Sequence, residues 1–376
     1  MSDSARPRKL RIGVLFGGRS GEHEVSLVSA RSVMGALDPD KYDVVPIGIG
    51  KDGRWLTQGD PVSTLSALCA ADVPPRLQPE RQVQTAVALP ETIELVPGAS
   101  RGEVPFVDVI FPVLHGPFGE DGTVQGMLEL AALPYVGSGV LGSALAMDKA
   151  AAKDVFRAHD LPCAPSILVM RWEWENKPAE VQQRVAQDIG YPCFVKPANL
   201  GSSVGVTKVH NAAELPTALT HAARYDRRLL VEQAINAREI ECSVLGNDQP
   251  VASVLGEIVP RREFYDYVAK YEDDSTGLII PAQLPADKAA EIQELAVRAF
   301  LALDCAGMAR ADFFLCRDTG RVYLNELNTI PGFTSISMYP KLWAASGLSY
   351  PRLLDRLIEL ALERFQERQR MSVAHK

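Results

Sequence analysis

Two short segments near the carboxyl end combine acid, amide and guanidinium in a way suited to phosphate and metal chemistry. Arg310-Ala311-Asp312 and Glu326-Leu327-Asn328 are separated by a turn signal at Asp318-Thr319-Gly320. If each segment is a strand, alternation puts Arg310 and Asp312 on one face, and likewise Glu326 with Asn328. Pairing of the strands would then gather three oxygen donors beside a guanidinium. Asp, Glu and Asn oxygens suit Mg²⁺, which takes one or two carboxylates and completes its octahedron with phosphate oxygens and water. A cross-strand salt bridge on a solvated face would use the same residues. The flanking text, GMARADFFL and VYLNEL, is apolar, where uncompensated charge is costly, and this favours a ligand or metal.

A second candidate is KPANLGSSVGVTKV, residues 196 to 209. Gly201, Ser202, Ser203 and Gly205 offer backbone N–H groups and two hydroxyls of the kind that wrap a polyanion. The order differs from a P-loop, in which the lysine follows the glycines and opens a helix. Here Lys196 precedes them and strands are expected on both sides, so a phosphate grip and a plain hairpin tip both fit. Weaker signals lie after two apolar strands near the amino end: Glu22-His23-Glu24, and His115-Gly-Pro-Phe-Gly-Glu-Asp-Gly. Such positions commonly bind small molecules, yet His and Glu are also ordinary loop residues. The run Asn328 to Ser337 is rich in turn residues whose N–H and hydroxyl groups could receive a carboxylate or oxyanion. Phe264 to Tyr271 clusters aromatics with Lys270, and alone reads as a packed edge.

The elements that must position these residues follow from hydrophobic pattern. Lys9 to Phe16 is a strand ending at Gly17-Gly18, Glu24 to Leu37 a helix, Asp43 to Ile49 a strand, Val107 to Leu114 a strand and Thr123 to Ala132 a helix. Strand, Gly-rich turn, helix is the grammar of an open parallel α/β sheet, whose ligands sit at the carboxyl ends of its strands. Residues 1–140 are expected to form that domain. Residues 141–233 read as a small α+β unit: a helix over Met147 to His159, another near Ala179 to Ile189, and strands at Ser166 to Met170, Cys193 to Lys196, Val204 to Val209 and Leu229 to Glu232. Residues 234–376 read as a third, mostly antiparallel unit. It has a helix over Asp287 to Leu303, strands at Ala309 to Cys316 and Arg321 to Glu326, and a final helix, Pro351 to Arg370, packed on it. Residues 57 to 102 are Pro- and Ala-rich with weak periodicity, and read as an insertion.

At 376 residues the chain is long enough for more than one domain. The 39 Lys+Arg against 47 Asp+Glu leave a net charge of −8, which argues against a nucleic-acid partner. The 6 cysteines show no CxxC pair and fit free thiols. No segment approaches the roughly 20 apolar residues of a membrane span, and the start lacks a cleavage signal, so a soluble cytoplasmic protein is expected. The GxGxxG spacing of a nicotinamide-dependent oxidoreductase is absent after the first strand.

Taken together, LFGGRSGEHEVSL, LHGPFGEDGTVQG, MDK at 147–149, VKPANLGSSVGVTKV, VEQAINAREIE, FYDYVAKY, ARADFF and NELNTIPGFTSISMYPKLW resemble the D-alanine–D-alanine ligases of the ATP-grasp superfamily. They run in family order across nearly the whole chain, and the insertion after Trp55 resembles the longer form of the family. The resemblance implies a three-domain ATP-grasp fold. It implies ATP-dependent joining of two D-alanines through a D-alanyl phosphate, for peptidoglycan precursors, by a cytoplasmic homodimer using two Mg²⁺ or Mn²⁺. Lys149, Lys196, Ser203 and Lys270 would hold ATP phosphates. Glu232, Gln233, Ala234, Ile235 and Glu239 would meet adenine and ribose, and Asp312, Glu326 and Asn328 the metals, with Glu326 bridging. Glu22 would take the first D-alanine's ammonium and His115 its carboxylate, with Ser202 and Tyr271 linking Glu22 to the closing loops. Arg310 and the Gly332 N–H would stabilise the tetrahedral oxyanion, and Ser337 would hold the second carboxylate. Relatives that make D-alanyl-D-lactate resemble this pattern but carry a different residue in the Tyr271 loop, so a dipeptide product is expected, with D-alanyl-D-lactate or D-alanyl-D-serine as alternatives.

Overall fold

The computed structural model describes residues 8–57, 59–71, 107–259, 277–334 and 336–371. Lys270, Tyr271 and most of the expected insertion lie outside the described residues. The first part of the chain runs β1 (Leu10–Gly17), α1 (His23–Ala36), β2 (Tyr42–Ile49), β3 (Trp55–Leu56), α2 (Pro61–Ala71), β4 (Val109–Val113), α3 (Thr123–Leu130), α4 (Val140–Met147) and α5 (Lys149–Ala158). There follow β5 (Ser166–Met170), α6 (Arg171–Asn176), α7 (Pro178–Asp188), β6 (Cys193–Pro197), β7 (Thr207–Val209), α8 (Leu215–Ala222) and β8 (Arg228–Gln233). The last part is β9 (Ala237–Gly246), β10 (Val251–Val259), β11 (Gly277–Ile279), α9 (Ala286–Ala302), β12 (Gly307–Cys316), β13 (Val322–Asn328), α10 (Met338–Ala345) and α11 (Tyr350–Gln369).

These strands make three sheets among the described residues. The first has the order β3-β2-β1-β4, with β1 parallel to both β2 and β4. Its strands are apolar on both faces because both are covered. Ile12, Val14, Phe16 and Phe111 pack beneath α1, and Leu15, Ile47 and Ile110 pack against Val124, Leu128 and Tyr135. Parallel pairing brings the carboxyl ends of β1 and β4 side by side, so the loops carrying Glu22 and His115 are neighbours. Ser20 Oγ donates to the His115 carbonyl at 2.6 Å. The second sheet has the order β5-β8-β6-β7 and the third β11-β10-β9-β12-β13, with antiparallel neighbours throughout.

Three expectations change in detail. The helix over Met147 to His159 breaks at Asp148, whose extended backbone (φ −82°, ψ 99°) ends α4 while its side chain caps α5. The strand expected from Val204 shortens to Thr207–Val209, because the glycines and serines before it are spent on a turn. The final helix is wider in its apolar face than a single contact needs. Leu353, Leu354, Leu357, Ile358 and Leu360 share a core with β1 and β4 as well as with Leu245 and Met308 of the third sheet.

The β1 turn has little freedom. Gly17 sits at φ +90°, and a Cβ there would lie 2.2 Å from the Ile49 carbonyl oxygen. Gly17→Ala should therefore cost about 2 kcal/mol or more, seen as a lower urea midpoint with the slope unchanged. An unshifted midpoint would refute the assignment of strain to this turn.

Candidate functional site

The third sheet has two chemically distinct faces. Ile240, Cys242, Ala311, Phe313 and Leu324 point into a core with Ile292, Ala296 and Phe300 of α9. Alternation sends Glu239, Glu241, Arg310, Asp312, Glu326 and Asn328 to the other face. The register pairs Arg310 with Asn328, Asp312 with Glu326, and Asp312 with Glu241 on the other side. It then slips between Asp312 and Phe313, which faces Leu324, so Asn325 is the extra residue of a bulge beside Glu326. Cys242 belongs to the apolar face, where burial pushes its thiol up to about 12, so it is a packing residue.

The donors meet as their types require. Arg310 Nε and Nη2 each donate to Asp312 at 2.7 Å, Nε lies 3.1 Å from Glu241, and Asn328 Nδ2 donates to Asp312 at 2.9 Å. Burial works against the Arg310 charge, but Asp312 and then Glu241 outweigh it and hold the guanidinium well above its ordinary value. Glu326 lies 3.3 Å from Lys149 Nζ. Cations of the protein thus sit on two carboxylates of this face. The oxygen-rich donor set fits Mg²⁺ or Mn²⁺.

The Gly-rich segment is a hairpin tip, with Cys193 opposite Val209 and Val195 opposite Thr207. At the tip Ser202 and Ser203 take φ of 49° and 58°, a left-handed conformation that costs side-chain-bearing residues of order 1 kcal/mol each. The Ser202 hydroxyl donates to Glu22. Backbone closes round that carboxylate, since a Cβ at Gly116 or Gly201 would come within 2.8 or 3.0 Å of Glu22 Oε2. Lys149 opens α5 just after Asp148, which accepts from the Ala150 and Ala151 N–H groups at 3.0 Å and from Asn199 Nδ2 at 3.2 Å. The helix start is thereby tied to the hairpin, and Lys149 Nζ donates to the Leu200 carbonyl at 2.7 Å.

Glu232 is 1 % exposed, with one oxygen 2.5 Å from Lys153 Nζ and the other 2.7 Å from Lys196 Nζ. Burial would raise this carboxyl, but the two lysines pull it down to about 2. Burial would likewise lower the Lys196 ammonium, and Glu232 reverses that to a net rise. Gln233, Ala234 and Ile235 form the passage from β8 to β9, with the Gln233 N–H on the Pro165 carbonyl at 2.9 Å and the Ala234 N–H on Pro192 at 3.1 Å. Glu239 lies on the polar face of β9, opposite Phe314.

On the first-sheet side, His115 is buried and its pKa is lowered, chiefly by burial and in part opposed by Glu22. Nδ1 lies 3.0 Å from the Ile330 carbonyl, which only accepts, so Nδ1 carries the proton; Nε2 faces Ser29 Oγ at 3.4 Å. Glu120 accepts from the Gly116 N–H at 2.6 Å and the Ile330 N–H at 3.4 Å. Burial, with Glu22 nearby, pushes its carboxyl up to about 8. Beyond Ile330, a Cβ on Gly332 would stand 2.9 Å from Ser337 Oγ, which accepts from the Thr334 N–H at 3.1 Å. Sequence reading did not assign roles to Lys153, Glu120 or Asp148, nor to Glu241. Helical spacing of Lys153 from Lys149, and strand alternation of Glu241 from Glu239, were the available signals.

The three sheets and the polar face between lysine-bearing hairpin and carboxylate-bearing strands are those of an ATP-grasp ligase. The solved D-alanine-D-alanine ligase of Coxiella burnetii superposes with a TM-score of 0.79 at 39% identity, covering 96% of each chain. VanG D-Ala:D-Ser ligase from Enterococcus faecalis gives 0.78 at 37% identity, over 94% of this chain and 100% of that one. Residues 11–138 match the family described as D-ala D-ala ligase N-terminus, and residues 155–359 its C-terminus. The D-alanine–D-alanine ligase of Thermoanaerobacter sp. (strain X514) is 53% identical over 96% of this chain and 98% of its own. That of Geobacillus thermodenitrificans is 50% identical with the same coverage. The chain belongs to the D-alanine–D-alanine ligase family.

The Glu120 environment has a measurable consequence. An unfolded glutamate titrates at about 4.3, and a folded value of about 8 means that folding favours the protonated acid. Its contribution is complete below the unfolded value and lost as pH rises through the folded one. Glu120→Gln, which mimics the acid, should match the parent's melting temperature near pH 4 and exceed it near pH 9. An equal difference at both pH values would refute the shift.

Proposed function

We propose that the site performs its family's D-alanine–D-alanine ligation in two steps, with ATP phosphorylating one D-alanine carboxylate and the amine of the second attacking the acyl phosphate. The observation that carries this reading is the convergence of Lys149 on both Glu326 and the Leu200 carbonyl of the hairpin, which joins a phosphate grip to a metal-type carboxylate. Lys149 and Lys196 neutralise the triphosphate, and Ser203 and neighbouring tip N–H groups enclose it. Gln233, Ala234, Ile235 and Glu239 border the nucleotide. Asp312, Glu326 and Asn328 would hold two Mg²⁺ or Mn²⁺, which neutralise charge on the transferring phosphoryl group when bound.

Glu22 receives the first ammonium, held toward the reactants by Ser202. The neutral His115 ring and Glu120 grip the Ile330 peptide from both sides, and so fix the acceptor loop ahead of Gly332. Arg310 and the Gly332 N–H are the donors for the oxyanion, and Ser337 the contact for the acceptor carboxylate. Tyr271 and Lys270 complete the closing loop that keeps water from the acyl phosphate. We read the protein as a cytoplasmic homodimer supplying peptidoglycan precursors, with units bounded near residues 140 and 233; among the described residues no helix is long and apolar enough to cross a membrane.

Purified protein with ATP, Mg²⁺ and D-alanine should release ADP and phosphate and form the dipeptide. Glu326→Ala should lower turnover at least about 10³-fold. Phosphate release indifferent to D-alanine would sink the assignment, and a mass-spectrometric product carrying D-lactate or D-serine in preference to D-alanine would replace the acceptor.

A further inference from the structure

Lys153 has no part in the chemistry described above, yet it is among the most buried charged groups of the chain, at 1 % exposed. It lies on α5 between Ala152 and Phe156, two residues of the core shared with the third sheet. Helical spacing places it one turn beyond Lys149, on the same side of the helix. Its ammonium has two partners from different sheets. One is Glu232 Oε1 of β8 at 2.5 Å, and the other is the carbonyl of Asn325, the bulge residue of β13, at 3.2 Å. The first partner holds Lys196 at 2.7 Å through its second oxygen. The second precedes Glu326 in the chain, and the bulge is what turns the strand so that Glu326 stays on the polar face opposite Asp312.

We propose that Lys153 is a positioning residue for the ligation reaction, sharing the Glu232 carboxylate so that Lys196 keeps net positive charge for phosphate, and bracing the Asn325 bulge that aims Glu326.

The charge argument is arithmetic. Among these three groups one carboxylate between two ammoniums leaves a net charge of +1, with Glu326 and Glu239 the further acids that act on Lys196, and Glu232 stays ionised because two cations hold its carboxyl at about 2. Without Lys153, the same carboxylate would neutralise Lys196 alone, and a neutral ion pair attracts a polyanion far less than a surplus ammonium does. The bracing argument is geometric. Asn325 is the residue that the register leaves unpaired, and Lys153 Nζ donates to its carbonyl. One ammonium does both, and therefore links the lysine that grips phosphate to the carboxylate placed for metal. A buried lysine that merely satisfied its partners would affect stability and leave these two functions alone.

The proposal rests on the ligase reading, and its test separates the two. ADP affinity in EDTA, measured by calorimetry, reports the lysine grip without metal; Mn²⁺ affinity with ADP present reports the aim of Glu326. Lys153→Met should weaken ADP about 10-fold or more and Mn²⁺ by a similar factor, while the KM for D-alanine stays within about 2-fold. Lys153→Met with Glu232→Gln removes the buried pair together, which proteins tolerate better than removing one partner. This double variant should recover ADP binding to within about 3-fold of the parent, with the Mn²⁺ loss persisting at about 10-fold. If Lys153→Met fails to fold, the double variant carries the test alone. A lowered melting temperature with unchanged ADP and Mn²⁺ affinities would overturn the proposal, as would a double variant that regains no ADP binding or loses no Mn²⁺ affinity. Parent protein that binds ADP but shows no D-alanine-dependent turnover would refute the ligase reading and leave the positioning test standing.

Discussion

A carboxylate buried between two ammoniums sets the geometry on which the rest of the site depends. Taking one ion out of water costs several kcal/mol even after relaxation, and a single partner seldom recovers it. Glu232 has two partners, Lys153 and Lys196, and they come from different elements, α5 and the hairpin strand β6. Losing either lysine leaves the acid with a single partner and losing the acid strands both lysines, which ties the helix to the hairpin. That constraint fixes Lys196 against the sheet, and through α5 it also fixes Lys149, whose own helix start is held to the hairpin by Asp148. The two lysines we propose for phosphate, Lys149 and Lys196, are thereby placed by one buried acid and one cap.

The same economy of charge appears across the cleft with the opposite outcome. His115 is buried and Glu120 partly so, and desolvation outweighs the nearby charges, so the imidazole is kept neutral and the protonated acid is favoured. Neutral groups can then act as hydrogen-bonding partners to one peptide, with His115 on the Ile330 carbonyl and Glu120 on the Ile330 N–H. This leaves Glu22 as the carboxylate that faces the hairpin serine on this side.

Much of this was legible in the sequence, and what was not has a physical reason. Alternation along β12 and β13 identified Arg310, Asp312, Glu326 and Asn328 as one face, and the observed register brings them together. The parallel strands β1, β2 and β4 of the first sheet followed from two strand, Gly-rich turn, helix units, whereas the short antiparallel edge strand β3 did not. The bulge at Asn325 was not visible, because a register slip depends on the partner strand. Lys153 looked like an ordinary helix-face lysine, because its burial is decided by a sheet remote in sequence. The break at Asp148 was overlooked because apolar periodicity continues through it, whereas the cap depends on a side chain that turns back on Ala150 and Ala151. Glu232 matched a nucleotide-contact pattern, yet its oxygens are taken by lysines.

The hairpin tip shows how a motif whose lysine precedes its glycines can be held in one shape without a following helix. In a P-loop the helix that follows supplies aligned N–H groups and fixes the lysine. Here no helix follows, and Ser202 and Ser203 hold left-handed backbone that a free hairpin would relax. The strain persists only because other elements overdetermine the tip. Glu22 holds Ser202, Asp148 holds Asn199, and Lys149 holds the Leu200 carbonyl. Each of these anchors belongs to an element outside the hairpin, so the shape of the tip is set by α5 and the β1 loop. The phosphate grip we propose for it therefore depends on α5 and on the loop that carries Glu22 as much as on the hairpin itself.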